Sequence, residues 1–316
     1  MALIDRVLRR RIAAKLEQLA AYGPFSVDIA RMLNEQITVS MTYHSNAIEG
    51  SMMNQTDVDL ALGGYRIPGE HTAEEIAETV GHAAAWHLVE SDVALGNPMR
   101  AELILELHSL LKPLDAQRGK WRTGQVYIRG AEHLPPRASE VPGYIEEWVR
   151  YANGEASDAV EQAAIAHAGF EVVHPFLDGN GRTGRLLLNW MLLRAGYPPA
   201  VIRVEERSRY IQAIAAASPP HPLMYAPLAQ LVGERVDASL TLYLAALVPD
   251  DRYRELSLEE ASTVAGISAR RLRGLAAEGK LEAHRKGKLW VTWPAALETY
   301  VATRNPVGKP SDEGLS

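Results

Sequence analysis

Apolar residues recur every three or four positions through most of the first 245 residues, which is the spacing of one face of an α-helix. The leucines within 103–111 and 186–193 are the clearest examples. This pattern predicts a mainly α fold of packed helices. Residues 125–130 depart from it, because polar and apolar side chains alternate there before Pro135-Pro136. That stretch predicts a short β-hairpin or an extended flap between helices.

The helical spacing stops at Val248, where Pro249 and a charged run begin, so we predict a linker over 249–257. A different order of elements is predicted after the linker. It begins with a short helix from Leu258, a turn at Gly266 and a second helix that is capped by Ser268 and ends at Gly279. Two apolar strands around a basic tip follow, and a last helix begins at Pro294. The strands are Leu281–His284 and Leu289–Val291, and the tip is Arg285–Lys288. This order resembles an excisionase-type winged helix over 258–303. Residues 304–316 are polar and are predicted to be disordered.

The formal charge of -6 conceals two regions of opposite sign. Residues 251–310 contain eleven Lys/Arg and seven Asp/Glu, a net +4, which leaves 22 against 32, or -10, elsewhere. The chain has no cysteine, which excludes disulfides, thiolate zinc sites, iron–sulfur clusters and a cysteine nucleophile. The longest apolar run, near 240–248, is far shorter than the ~20 residues of a membrane helix, and the N-terminus lacks an apolar signal-peptide centre. We therefore expect a cytoplasmic protein that does not enter a membrane.

The densest candidate chemistry lies between His174 and Arg185. Helical spacing on either side places Gly179-Asn180-Gly181 at the start of a helix, where unpaired N–H groups and the helix dipole suit a phosphate. Arg182 and Arg185, one turn apart, are expected to extend this positive site into solvent. Asp178 offers an oxygen ligand for Mg²⁺, and His174 can accept a proton near neutral pH. These residues suit transfer of a phosphorus centre to a hydroxyl.

The same residues contain an alternative motif, since Gly179–Gly184 spells G-x-G-x-x-G, the dinucleotide-binding fingerprint. That fingerprint requires a preceding β-strand within a βαβ unit. The surrounding sequence instead predicts helix, His-Pro and helix, which disfavours a Rossmann fold.

His174–Arg185 matches the Fic signature H-P-F-x-(D/E)-G-N-G-R-x-x-R at every specified position. The chain thus resembles the Fic family, which implies a Fic-type helical bundle over 96–248 after an N-terminal helical region, 1–95. The resemblance implies transfer of AMP from ATP to a Ser, Thr or Tyr hydroxyl of a target protein. The roles it implies are a general base (His174), a magnesium ligand (Asp178), an anion cradle (Gly179, Asn180, Gly181) and phosphate-binding arginines (Arg182, Arg185).

The resemblance also implies contacts further from the phosphates. A flap that includes Val126, Tyr127 and Ile128 would dock the target segment as an added strand. Asn189 and Tyr210 are predicted on the adenine side, with Ser218 at a position often filled by asparagine. The sequence is compatible with a homo-oligomer but does not specify one.

A second family motif lies at the end of a helix predicted from about Ile29. Ser45-Asn46-Ala47-Ile48-Glu49-Gly50 resembles the Fic inhibitory motif (S/T)-x-x-x-E-(G/N). The resemblance implies that Glu49 pairs with Arg185 and fills the γ-phosphate pocket, so that ATP binds only in a non-productive pose. Alternatively, Glu49 could align a water for removal of AMP from a modified target, and the sequence does not decide the direction.

The basic C-terminal region adds a different class of function. The side chains predicted to meet DNA are Arg270, Arg271 and Arg273 on the second helix and Lys286 and Lys288 at the wing. A winged helix that binds protein is the alternative. Two hypotheses follow for the whole chain: a self-inhibited adenylyltransferase, or a DNA-binding regulator in which the Fic core senses nucleotide. His174 favours the first, because a sensor needs no base.

Overall fold

A computed structural model describes residues 2–127, 134–217, 222–247 and 253–304. The chain divides into two units, Met1–Leu240 and Thr241–Ser316. Helices make up the secondary structure described in the first unit, which confirms the mainly α fold class. These helices are α1 (Arg6–Ala21), α2 (Val27–Ile48), α3 (Gln55–Leu62), α4 (Ala73–Ala94), α5 (Ala101–Leu111), α6 (Val141–Asn153), α7 (Ala159–Val173), α8 (Asn180–Arg194), α9 (Arg207–Ala216) and α10 (Ala226–Leu247).

Several of these helices begin at a residue whose side chain accepts hydrogen bonds from the first turn. Asp5 caps α1, Ser26 caps α2, Thr72 caps α4 and Asp158 caps α7. Such caps satisfy N–H groups that lack a partner inside the helix, each contributing about 1 kcal/mol. The described 3₁₀ turns lie at Ala138–Glu140, Val204–Glu206 and Pro222–Tyr225.

Helix α8 is the central helix of the first unit. It packs against α2, α4, α5 and α7, and its residues from Leu186 to Leu192 are buried on every side. A helix that is covered all round needs apolar residues on all its faces, which the leucine-rich sequence supplies. This position brings the N-terminus of α8 to the ends of α2, α5 and α7, where the candidate site forms.

Among its described residues, the second unit contains the end of α10, three further helices and a three-stranded antiparallel sheet of order β1-β3-β2. Its elements are β1 (Leu256–Ser257), α11 (Leu258–Ala265), α12 (Ala269–Ala277), β2 (His284–Lys286), β3 (Leu289–Thr292) and α13 (Pro294–Arg304). Gly266 ends α11 with φ +65°, and Ser268 caps α12, both as predicted. The core contains Leu256, Leu272, Leu281, Trp293 and Leu297.

Three boundaries differ from the sequence predictions. The linker predicted over 249–257 ends earlier, because Leu256 and Ser257 pair with Thr292 and Val291 as β1. Strand β2 begins at His284 rather than Leu281, and Arg285 and Lys286 belong to it, which leaves Gly287 and Lys288 as the turn. The second unit begins at Thr241, whose hydroxyl donates to Glu282 Oε1 at 3.1 Å. The predicted disordered tail, 304–316, lies outside the described residues except for Arg304.

The structure gathers residues from the two regions predicted as 1–95 and 96–248 into one unit. Helix α4 from the first region packs against α5 and α8 from the second. No helix within the described ranges is long and apolar enough to cross a bilayer.

Candidate active site

His174 ends helix α7 in a left-handed conformation, with φ 49°. It is the one non-glycine residue with positive φ in the described chain. This backbone conformation costs roughly 1–2 kcal/mol for a residue with a side chain. Its carbonyl accepts a hydrogen bond from Arg122 Nε at 2.8 Å, which helps hold the conformation in place. His174 Nδ1 lies 3.3 Å from the Glu171 carbonyl and so carries the proton, which makes Nε2 the nitrogen that can accept one.

Arg122 ties the motif loop to the base of the flap. Besides His174, its guanidinium donates to the carbonyls of Gly124 at 3.0 Å and Pro136 at 2.6 Å, one on each side of the flap. Its backbone N–H donates to the Pro175 carbonyl at 2.9 Å. The sequence predicted no role for Arg122.

Two buried polar side chains fix the loop between α7 and α8. The Asn180 amide accepts from Phe176 N and donates to Phe176 O, both at 2.9 Å. His108 Nδ1 accepts from Gly119 N at 2.9 Å, so its Nε2 carries the proton and donates to the Asp178 carbonyl at 3.0 Å. Burial lowers the pKa of His108, which keeps the ring neutral, and the ring stacks on Phe176 at 3.7 Å between centroids.

The N-terminus of α8 forms the expected cradle of backbone N–H groups. Gly179 caps the helix with φ +78°, a conformation that glycine adopts without strain. The first intrahelical hydrogen bond runs from Thr183 N to Gly179 O at 3.0 Å. The N–H groups of Asn180, Gly181 and Arg182 precede it, so they can face an anion at the positive end of the helix dipole.

The predicted ion pair between Glu49 and Arg185 is present, with Arg185 Nη2 2.8 Å from Glu49 Oε1. Arg185 also donates from Nε to Ser45 Oγ at 3.0 Å and from Nη2 to Ser45 O at 2.9 Å. Although burial opposes the charged form, the Glu49 carboxylate raises the pKa of Arg185. The carboxylate lies against the cradle, because a Cβ built on Gly181 would overlap Glu49 Oε1. Gly50 then ends the segment with φ +104°.

The comparisons with known proteins agree with this geometry. Residues 98–192 match the Fic/DOC family model. The protein adenylyltransferase Fic of Drosophila ananassae is 32% identical over 248 residues, 77% of this chain and 49% of that protein. A Fic-1 structure from C. elegans is 30% identical, covers 77% of this chain and 72% of its own, and superimposes with a TM-score of 0.65. This chain belongs to the Fic/DOC family.

A Fic domain-containing signaling protein from Bacteroides thetaiotaomicron shares the fold, with a TM-score of 0.70, 23% identity, and coverage of 75% of this chain and 97% of its own. The chain spans about half the length of the Drosophila relative.

Both Fic-motif arginines point into the protein, which corrects the expectation that they extend into solvent. Arg182 is 4% exposed, and its Nη1 lies 2.5 Å from Glu78 Oε2 on α4. Arg185 is 3% exposed. The central position of α8 explains this, since the residues of its first turns are covered by α2 and α4.

The predicted adenine-side residues are interior. Asn189 is fully buried, and its amide donates to Arg185 O at 2.9 Å and accepts from Ala200 N at 2.7 Å. Tyr210 is also buried, with its hydroxyl 2.7 Å from His167 Nε2 and 3.5 Å from Arg185 Nη1. Both side chains use their polar atoms for hydrogen bonds inside the core, and their role on the adenine side stays a prediction. Ser218 lies outside the described residues.

The flap of this Fic domain is described only at its base. Val126 is half-buried and Tyr127 is 81% exposed, whereas Ile128 lies outside the described residues. The described parts on either side, 123–127 and 134–137, contain no strand. Gln125 Nε2 donates across the base to the Pro135 carbonyl at 3.0 Å.

A buried carboxyl behind the Fic motif is a feature that sequence reasoning missed. Glu171 lies one turn before His174, and a Cβ on Gly184 would lie 2.5 Å from its Oε1. Burial raises the pKa of Glu171 to about 8, and Oε1 has no hydrogen-bond partner in the described structure. The available sequence signal was a glutamate on the helix face that also carries His167 and His174. Glu171 Oε2 lies 4.0 Å from His174 Nδ1, so this carboxyl is a direct neighbour of the predicted general base.

Proposed function

We propose that this Fic protein transfers AMP from ATP to a Ser, Thr or Tyr hydroxyl of a target protein. The observation that carries the proposal is the arrangement of His174 on a fixed loop leading directly to the N–H cradle at Gly179–Arg182. A base and an anion site in this relation suit attack of a hydroxyl on a phosphorus atom. The name of the Drosophila relative, protein adenylyltransferase, supports the same reaction.

In the proposed reaction, His174 Nε2 accepts the proton of the target hydroxyl as its oxygen attacks the α-phosphorus. A new P–O bond joins AMP to the target, and the bond from the α-phosphorus to the bridging oxygen breaks. Pyrophosphate leaves with that bonding electron pair. The N–H groups at the start of α8 stabilise the charge that develops on the phosphate oxygens, because they are already oriented toward it.

Asp178 fits the role of a magnesium ligand. Its side chain is 63% exposed at the edge of the anion cradle, and a carboxylate is the kind of oxygen ligand that Mg²⁺ takes when it is shared with phosphates. When bound there, Mg²⁺ would offset the negative charge of the ATP phosphates.

We further propose that Glu49 restrains the activity. Its carboxylate pairs with the Arg185 guanidinium, which would otherwise be able to bind a γ-phosphate. The same carboxylate lies against Gly181 in the cradle of N–H groups. Ser45 fixes the same arginine from the preceding turn of α2, and Gly50 allows the chain to turn away after Glu49. Target docking on the flap at Val126 and Tyr127, a cytoplasmic location and a homo-oligomer stay predictions from the sequence.

The proposed reaction is tested by the position of the label in ATP. We expect label from [α-³²P]ATP, and none from [γ-³²P]ATP, on target proteins of a cell lysate incubated with the Glu49→Gly protein. Transfer of the γ-label would indicate a kinase instead. Loss of AMP from a modified target, with no addition by any variant, would support the reverse reaction.

We propose DNA contact as a second function, carried by the second unit. Arg270, Arg271 and Arg273 are all exposed on α12, opposite the buried Leu272 and Leu275. Exposed arginines along one helix can meet phosphates. At the wing, Lys288 is exposed at the turn, whereas Lys286 pairs with Glu255 at 2.7 Å and so contributes less positive charge.

We expect Arg271→Ala to weaken binding of a DNA duplex. We also expect the slope of the logarithm of the binding constant against the logarithm of the salt concentration to become shallower by about one. Fluorescence anisotropy across a salt series measures both. The matched control is Lys280→Ala, an exposed lysine of the same unit paired with Glu278 at 2.7 Å. Equal effects of the two substitutions would contradict a specific role for α12.

A further inference from the structure

A buried lysine lies on the carboxylate proposed to hold the metal. Lys112 follows α5 and is 7% exposed, and its Nζ lies 2.8 Å from Asp178 Oδ2. The same ammonium contacts Glu78 and lies 3.6 Å from Glu74 Oε1. The ammonium thus lies among three carboxylates, and its contact with Asp178 places a cationic side chain directly on the proposed metal ligand.

The position of this ammonium is fixed by three helices. Glu78 on α4 accepts from Lys112 and also from Arg182 on α8, so both cations are held by one carboxylate. One turn before Lys112, His108 donates to the Asp178 carbonyl at 3.0 Å. The end of α5 thus holds the backbone of Asp178 through His108 and its side chain through Lys112. An interaction anchored in this way differs from a mobile surface ion pair, which contributes little.

Both carboxylate oxygens of Asp178 already have donors. Oδ2 accepts from Lys112, and Oδ1 accepts from Gly179 N at 2.7 Å. A divalent cation at this carboxylate either shares Oδ2 with the buried ammonium, shares Oδ1 with the Gly179 N–H, or displaces one of these donors. In each arrangement that keeps Lys112 in place, two cations lie on one carboxylate and repel each other at short range.

We propose that Lys112 is a positioning residue that weakens divalent-cation binding at Asp178 and supplies part of the positive charge to the nucleotide phosphates. The inference rests on the proposed function, in which Asp178 lies beside those phosphates. Nucleotide binding then depends little on Mg²⁺, because Lys112 and the N–H cradle remain when the metal is removed.

The first test titrates the full-length protein with Mn²⁺ alone and follows free Mn²⁺ by electron paramagnetic resonance. We expect Lys112→Met to bind Mn²⁺ at least about tenfold more tightly than wild type, since it removes a positive charge next to the ligand. Lys112→Arg keeps the charge and should match wild type. The matched control is Lys120→Met, which removes the same charge from an exposed lysine nearby in sequence. Adding Asp178→Asn to Lys112→Met should abolish the gain in Mn²⁺ affinity, which would assign the Mn²⁺ site to Asp178.

The second test measures the affinity for a non-hydrolysable ATP analogue with Mg²⁺ and with a chelator. The affinity of wild type for the analogue should change less than about threefold between the two conditions. The affinity of Lys112→Met should fall about tenfold when the metal is removed. Thermal unfolding checks the fold, and Lys112→Gln gives the same comparison if the methionine variant unfolds.

Equal Mn²⁺ affinities for wild type and Lys112→Met, or no Mn²⁺ binding by any variant, would overturn the proposal. A wild-type protein that needs Mg²⁺ for nucleotide binding would overturn it as well. Neither titration involves transfer, so a failure to detect AMP transfer would count against the proposed function alone.

Discussion

We expect the Glu49→Gly protein to transfer AMP at least about tenfold faster than wild type, which corresponds to about 1.4 kcal/mol or more in the transition-state free energy. The reason is that Arg185, the buried partner of Glu49 at 2.8 Å, becomes available to a γ-phosphate. Label from [α-³²P]ATP on lysate proteins, measured as an initial rate, checks this result. The variant should stay folded, because Ser45 and Tyr210 still accept hydrogen bonds from Arg185.

Two further substitutions separate the charge of Glu49 from its size. Glu49→Gln keeps the volume and loses the charge, so it should also raise transfer but less than glycine does. Glu35→Gln removes a carboxylate from an exposed position on the same helix and should leave the rate unchanged. Equal rates for wild type, Glu49→Gly and Glu35→Gln would contradict the restraint.

We expect replacement of His174 in the Glu49→Gly protein to lower AMP transfer by about 10²–10⁴-fold, the usual contribution of a general base. Asparagine is the preferred replacement, because it tolerates the left-handed backbone found at position 174 and cannot act as a base at neutral pH. His174→Ala is the second variant. Nucleotide affinity, measured by calorimetry, should change little in either one, because the N–H groups of the cradle belong to α8.

The control for this substitution is His87→Ala, a histidine on the surface of α4 with 58% exposure, which should leave transfer unchanged. A His174→Asn protein that retains more than about a tenth of the transfer rate would show that His174 is not the base. Loss of nucleotide affinity along with transfer would instead indicate a structural role.

The sequence predicted the parts of the site that depend on neighbouring residues. The end of α7 at His174 follows from Pro175, which lacks an N–H group and cannot continue the helix. The cradle at the start of α8 follows from Gly179 and Gly181, whose small size leaves the backbone accessible. The interaction of Glu49 with Arg185, 136 residues apart, followed from the family resemblance rather than from local pattern.

Two of the residues that sequence reasoning missed, Glu78 and His108, act through distant partners. Glu78 meets Arg182 over 104 residues, and His108 meets Asp178 over 70, so no local spacing connects them. The distance along the chain between Arg182 and Glu78 also explains why the prediction that Arg182 extends into solvent was wrong. An arginine at the start of a helix is usually solvated. Only the packing of α4 against α8 shows that it is buried against a carboxylate. Asn189 likewise has a partner, Ala200, beyond the end of α8, and no local spacing predicts that contact.

AMP transfer by this protein is tested most directly by intact-mass measurement of the Glu49→Gly protein and of lysate proteins, with and without His174→Asn, after incubation with ATP. We expect an added AMP on the protein or on a lysate target only when His174 is present. Absence of the adduct in the Glu49→Gly protein, or an equal adduct with asparagine at position 174, would contradict it.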